Sequence, residues 1–274
     1  MLRARILTAV ILLAGFLGAL FWLPGTGWIV LVGALLAVAA WEWAGLARLR
    51  WPGRCLYAGA VGAAGIWAGW NAGLDSGPLF GQSWLYLAAA VFWVALAPLW
   101  LWERPAFASS AVPLLAGVVV LVPNAAAMVA LRGQSPVLLL AVMAVVWISD
   151  IAAYFTGRRF GRRKLAPSIS PGKTWEGVYG ALAGVTVYAM CWLAAAGGTS
   201  FGPWQQTVLG GLWFVLVLLG LTAAGIEGDL LESQMKRQAG VKDSGSVLPG
   251  HGGVLDRIDA LLPVLPLAAL VFLK

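Results

Sequence analysis

"PVLLLAVMAVVWISDIAAYFTGRRF", residues 136–160, decides the fold. From Pro136 to Phe155 the only charge is Asp150, and two arginines follow at 158 and 159. Twenty such residues wound as a helix at about 1.5 Å each cover about 30 Å, the hydrocarbon thickness of a bilayer. The segment therefore reads as a membrane span over 136–156, closed by basic residues on one side.

The whole chain shares this character. Its 274 residues are 61% hydrophobic and only 11% charged, with a mean hydropathy of +0.87, whereas soluble domains are about 45–50% apolar and about 25% charged. Apolar stretches of spanning length occur at 5–23, 27–47, 55–73, 83–102, 111–131, 136–156, 174–197, 205–226 and 255–273. The weakest are 55–73, rich in Gly and Ala, and 111–131, which holds Pro123 and Asn124. Nine spans with the N-terminus cytoplasmic put Arg3, Arg5, Arg48, Arg50, Arg54, Arg104, Arg158, Arg159, Arg162, Arg163, Lys164, Lys173, Lys236, Arg237, Lys242 and Arg257 inside. Only Arg132 and Lys274 of the 18 basic residues fall outside, as the positive-inside rule requires. The expectation is an all-α integral membrane protein of about nine transmembrane helices, N-terminus in and C-terminus out.

Topology also accounts for the net charge of +7, which is therefore not read as a nucleic-acid signal. The first span has a basic start but no small-x-small cleavage site, so it reads as a retained anchor. Cys55 and Cys191 lack metal or redox spacing and read as packing residues. No internal repeat is visible. Organisation changes after the fifth span: residues 1–135 read as scaffold. Residues 136–274 carry two long inner loops, 157–173 and 227–254, holding most residues able to do chemistry.

In the first of these regions, Asp150 inside an apolar helix would cost about 2.5–3.5 kcal/mol at mid-membrane and so needs a partner or a task. Tyr154, one turn on, is the ordinary partner. The "PGKT" at 171–174 lacks the first glycine of a P-loop, with Pro167 in its place, and follows no strand, so that motif is rejected. Ser170, Lys173 and Thr174 are instead expected at a helix start, where free N–H groups and the positive dipole end favour an anion. Glu176 in the same first turn reads equally well as a cap.

In the second region, Asp229, Ser233 and Lys236 fall at i, i+4 and i+7, on one helical stripe. Glu232 pairs with Lys236 as an ordinary solvated salt bridge would. The glycine-rich loop "AGVKDSGSVLPGHGG", 239–253, carries Lys242, Asp243 and the chain's single histidine, His251; a lone His is more often structural than catalytic. Asp256 and Asp259, three apart, repel unless a cation sits near them, and Mg²⁺ is commonly held by one or two carboxylates together with substrate phosphates. One Asp there is an ordinary helix cap; a second, with Arg257 between, exceeds that need. Asp150, Asp229, Asp256 and Asp259 would thus converge with basic residues at one membrane face, a composition suited to phosphoryl or nucleotidyl transfer.

The stretch 233–259 resembles the signature of phosphatidate cytidylyltransferases, also called CDP-diacylglycerol synthases. It matches at Ser233, Met235, Lys236, Arg237, Lys242, Asp243, Gly245, Leu248, Pro249, His251, Gly252, Gly253, Val254, Asp256, Arg257, Ile258 and Asp259. The stretch 150–177 is also similar, through Asp150, Tyr154, Gly157, Phe160, Gly161, Ser170, Pro171, Lys173, Thr174, Trp175 and Glu176. The resemblance spans about residues 145–274, and the first half matches only as apolar helices. It implies that CTP and phosphatidic acid give CDP-diacylglycerol and pyrophosphate with Mg²⁺, at the cytoplasmic face of an inner membrane. Asp229, Asp256 and Asp259, with Asp150 as a further candidate, would hold metal, and a second cation is admitted. Lys236, Arg237, Lys242 and Arg257 would hold phosphates, helped by Lys173, while Asp243 and His251 would position. The implied partners are the two substrates and membrane lipid, without nucleic acid, and a homodimer is admitted. Two alternatives stand beside this: the same chemistry on another lipid, and a transporter using Asp150 and a helix broken at Pro123.

Overall fold

The computed structural model describes residues 2–74, 83–105, 109–195, 207–247, 250 and 252–273. Each apolar stretch identified above falls on a helix: α1 (Leu2–Trp22), α2 (Gly25–Leu46), α3 (Trp51–Leu74), α4 (Ser83–Val91) continuing through a π-turn at Phe92–Leu96 into α5 (Ala97–Glu103), α6 (Ala111–Gln134), α7 (Pro136–Phe160), α8 (Trp175–Ala195), α9 (Val208–Ala239), α10 (Leu255–Ile258) and α11 (Leu261–Phe272). Among the described residues, six rods are long and apolar enough to cross a membrane: α2, α4–α5, α6, α7, α8 and α9. The protein is an all-α membrane protein with one small addition, an antiparallel hairpin of β1 (Lys164–Ala166) and β2 (Ser170–Thr174).

Pro123 does not break α6. The helix runs through it, and the adjacent Asn124 is buried and donates to the Leu261 carbonyl at the head of α11 (2.8 Å). Arg132, expected in an outer loop, instead closes the C-terminal end of α1: it donates to the carbonyls of Leu20 (2.8 Å) and Leu23 and lies 4.8 Å over the Trp28 ring. Those carbonyls have no intrahelical donor, so a cation there is favourable.

Two packed units result. Helices α2, α3 and α6 pack on one another, with α11 against α6, and α7, α8 and α9 form the second group. Small residues set the α7–α8 approach, as in membrane interfaces where close backbone contact replaces the hydrophobic drive. A methyl on Gly180 would meet Thr156, and one on Gly184 would lie 2.8 Å from the Ala152 methyl.

Three local expectations are corrected. Ser170, Lys173 and Thr174 lie in β2 and not in the first turn of a helix, which begins at Trp175. The eighth apolar stretch does not end near 226: α9 continues as one 32-residue helix to Ala239, because no Gly or Pro after Gly228 interrupts good helix formers until Gly240 ends it in the left-handed region (φ 76°). The last span is not a single helix from 255. Pro263 cannot donate a backbone hydrogen bond, the chain turns at Asp259–Ala260, and the apolar helix starts at Leu261.

Candidate active site

The C-terminal three turns of α9 carry the site. Asp229 and Ser233 meet as the i, i+4 spacing requires, the Ser233 hydroxyl donating to Asp229 Oδ1 (3.2 Å). Lys173 reaches over from β2 and pairs with Asp229 Oδ2 at 2.6 Å. The hairpin exists to make this reach. Glu176, in the first turn of α8, accepts from the N–H groups of Arg162 and Arg163 (3.0 and 3.2 Å) and so fixes the turn leaving α7. Arg237 donates from α9 to the Ile169 carbonyl (3.2 Å), tying the hairpin's tip to α9. Thr174 is a cap: it is buried and accepts from the Gly177 N–H (3.2 Å), which occupies one of the free N–H groups that an anion would have needed. Ser170 is half-buried at the start of β2, where it pairs with Ala166.

Between α7, α8, β2 and α9 lies a cavity of about 490 Å³, lined among others by Asp150, Tyr154, Arg158, Lys173, Thr174 and Asp229. Asp150 therefore faces this cavity. Among the described residues no hydrogen bond joins it to Tyr154, whose hydroxyl accepts from Arg158 (3.0 Å). The α7 wall of this cavity is apolar on its far side, with Phe155 64% and Phe160 61% exposed.

A second cluster stands beside the first, one turn further along α9. Lys236 bridges Glu232 Oε2 (2.6 Å) and Asp256 Oδ1 (2.7 Å). The Glu232–Lys236 pair is not the solvated pair expected, since Glu232 is 1% exposed. The second oxygen of Asp256 accepts from the Ser244 N–H (3.0 Å), the Ser244 hydroxyl (2.9 Å) and the Gly253 N–H (2.8 Å). Burial alone would raise this carboxyl, but the Lys236 hydrogen bond, those N–H donors and the Lys236 charge outweigh it and bring it down to about 2. Asp256 thus fastens the 240–254 loop to α9.

Asp259 lies between the clusters. Its Oδ1 accepts from the Ala260 N–H (2.8 Å), and a methyl on Gly228 would come within 2.5 Å of its carbonyl, so the missing side chain is what lets α9 approach. Burial and then the negative charge of Asp229 push the Asp259 carboxyl upward, the repulsion that a cation would relieve. Lys242, Asp243 and Arg257 are exposed, and His251 lies outside the described residues.

One site residue was missed. Glu42, from α2 in the half read as scaffold, is 1% exposed and accepts from the N–H groups of Val254 (3.1 Å) and Leu255 (2.7 Å). Only its presence as a charge in an apolar span could have flagged it.

The pattern of the cytidylyltransferase family matches residues 3–273. A phosphatidate cytidylyltransferase of Pseudomonas aeruginosa is 40% identical over 98% of this chain and 96% of its own length. One of Haemophilus influenzae is 38% identical over 97% and 96%, and one of Bacillus subtilis is 44% identical over 44% and 42%. A match of this length includes the scaffold helices as well as the loops, and on that ground the chain belongs to the cytidylyltransferase family.

Proposed function

We propose that the protein transfers the cytidylyl group of CTP to phosphatidic acid, releasing pyrophosphate and CDP-diacylglycerol for phospholipid synthesis. The observation that carries this is the cavity holding the charged Asp150, Lys173 and Asp229 among helices apolar enough to cross a membrane, in a chain similar along its length to phosphatidate cytidylyltransferases. A phosphate oxygen of the lipid attacks the α-phosphorus of CTP, the bond to the β-phosphate oxygen breaks, and pyrophosphate carries away the charge. Such a reaction needs positioning and charge neutralisation more than a covalent intermediate. Lys173, paired with Asp229, and Arg158 on the cavity wall supply cations for phosphate, while the exposed aromatic face of α7 suits the acyl chains. Lys242 and Arg257, both exposed, would offer further charge to the triphosphate. Lys236, held between two carboxylates, acts on the reaction by fixing the loop.

The donor set fits Mg²⁺. Among the described residues no group of three or more His, Cys, Asp or Glu could hold a metal by itself, so phosphate and water would have to complete the shell, as Mg²⁺ allows. Asp229 and Asp259 would hold it, with Asp150 facing the same cavity; Asp256 would join only by giving up its present donors. Bound there, the ion would neutralise phosphate oxygens. The charge bias of sixteen basic residues to two favours nine spans, an N-terminus inside and a site facing the cytoplasm of an inner membrane; reporter fusions at the α6–α7 junction and in the 240–247 loop should read from opposite sides. The deciding assay is CDP-lipid formation by purified protein from CTP and phosphatidic acid, lost on chelation and restored by Mg²⁺. Competing lipid phosphates in the same assay separate other acceptors, and no product with any of them would overturn the reading.

A further inference from the structure

Glu42 belongs to none of the stretches that resemble the family signature, yet three donors from the signature loop converge on it. Besides the Val254 and Leu255 N–H groups, the Ser244 hydroxyl lies 3.3 Å from Glu42 Oε2 and 2.9 Å from Asp256 Oδ2. A hydroxyl has one proton to give, so Ser244 shares it between the two carboxylates, with the shorter contact to Asp256, and ties them together. The glycines around Glu42 leave it no slack. A methyl on Gly245 would run into Oε1, and one on Gly253 would lie 2.6 Å from both carboxylate oxygens while striking the Ser244 hydroxyl. A buried carboxylate with three donors is costly to misplace, because each lost bond strands a polar group.

We propose that Glu42 is a positioning residue for cytidylyl transfer: anchored in α2, it clamps the 240–254 loop and the start of α10 so that Asp256 and Lys236 keep the geometry the site needs. This rests on the cytidylyltransferase reading. It explains why the first half of the chain is more than a lipid-facing support: the loop between α9 and α10 closes onto α2 as well as onto α10. The carboxylate also limits what can replace it. A glutamine has the same length, but its NH₂ would confront the Val254 or Leu255 N–H, donor against donor.

The test compares wild type, Glu42→Gln, Ser244→Ala and the double variant, purified in detergent, with activity expressed per folded molecule by size-exclusion profile and thermal unfolding. Glu42→Gln should lower kcat by about 10- to 100-fold, the range for a misplaced catalytic geometry, with KM for phosphatidic acid nearly unchanged. Adding Ser244→Ala to it should cost little more, because both changes cut one chain of contacts. Folded Glu42→Gln with wild-type kcat, or fully additive losses in the double variant, would overturn the proposal. Should Glu42→Gln fail to fold, Gly245→Ala, which crowds the Glu42 carboxylate and leaves the Asp256 bonds in place, is judged by the same kcat criterion. Absence of activity in wild type would count against the reaction itself, a result distinguishable from failure of the clamp.

Discussion

Replacing Asp256 with asparagine changes no volume and removes one charge, and its consequences follow from four contacts. Oδ1 holds Lys236 at 2.7 Å, and Oδ2 holds the Ser244 N–H, the Ser244 hydroxyl and the Gly253 N–H. An asparagine has one acceptor oxygen, so its NH₂ must face either the ammonium or the three loop donors. Breaking a buried pair by removing one partner costs about 3–5 kcal/mol, and the side chains here are 7% and 12% exposed. Destabilisation of about that size is expected in denaturant titrations of detergent-solubilised protein, with CDP-lipid formation abolished even in the folded fraction. The pH dependence has a definite sign. The folded carboxyl sits at about 2, below the free value of about 3.9. Its contribution to stability is therefore complete above about pH 4 and lost as pH falls from there toward 2. Asp256→Asn should remove this acid-dependent loss. Folded Asp256→Asn protein with full activity would refute the reasoning.

Two further outcomes are expected. Lys173→Met should lower kcat/KM for CDP-lipid formation by about 10²-fold or more, the scale of losing one charged donor at a reacting phosphate, with little change in unfolding; wild-type kinetics would exclude Lys173 from the cavity's chemistry. Gly180→Val should destabilise the α7–α8 pair by about 1–3 kcal/mol or more through overpacking against Thr156, measured as earlier thermal unfolding, whereas an unchanged midpoint would mean that the helices separate without cost.

The readable parts of the site were those built on one helix. Asp229, Ser233 and Lys236 share a stripe because 3.6 residues make a turn, and the structure keeps the Asp229–Ser233 contact that the spacing implied. The hairpin at 164–174 was not readable, since strands of three and five residues leave too short a pattern to tell from a loop. Thr174 looked like an anion ligand from its place before a helix, and only the coordinates show its oxygen spent on Gly177. Glu232 looked solvated because i, i+4 pairing is the same on any face of a helix; burial depends on what packs against it.

By itself the sequence determined the membrane setting, the helical segments, the basic bias and the residue types needed for phosphate chemistry, because hydropathy and charge act locally along the chain. The tertiary structure alone decided which carboxylates stand free and which are spent. Glu42 and Leu255 are 213 residues apart yet hydrogen-bonded. A buried carboxylate takes its role from the donors that the fold brings to it, and those donors lie on segments whose meeting no local pattern encodes.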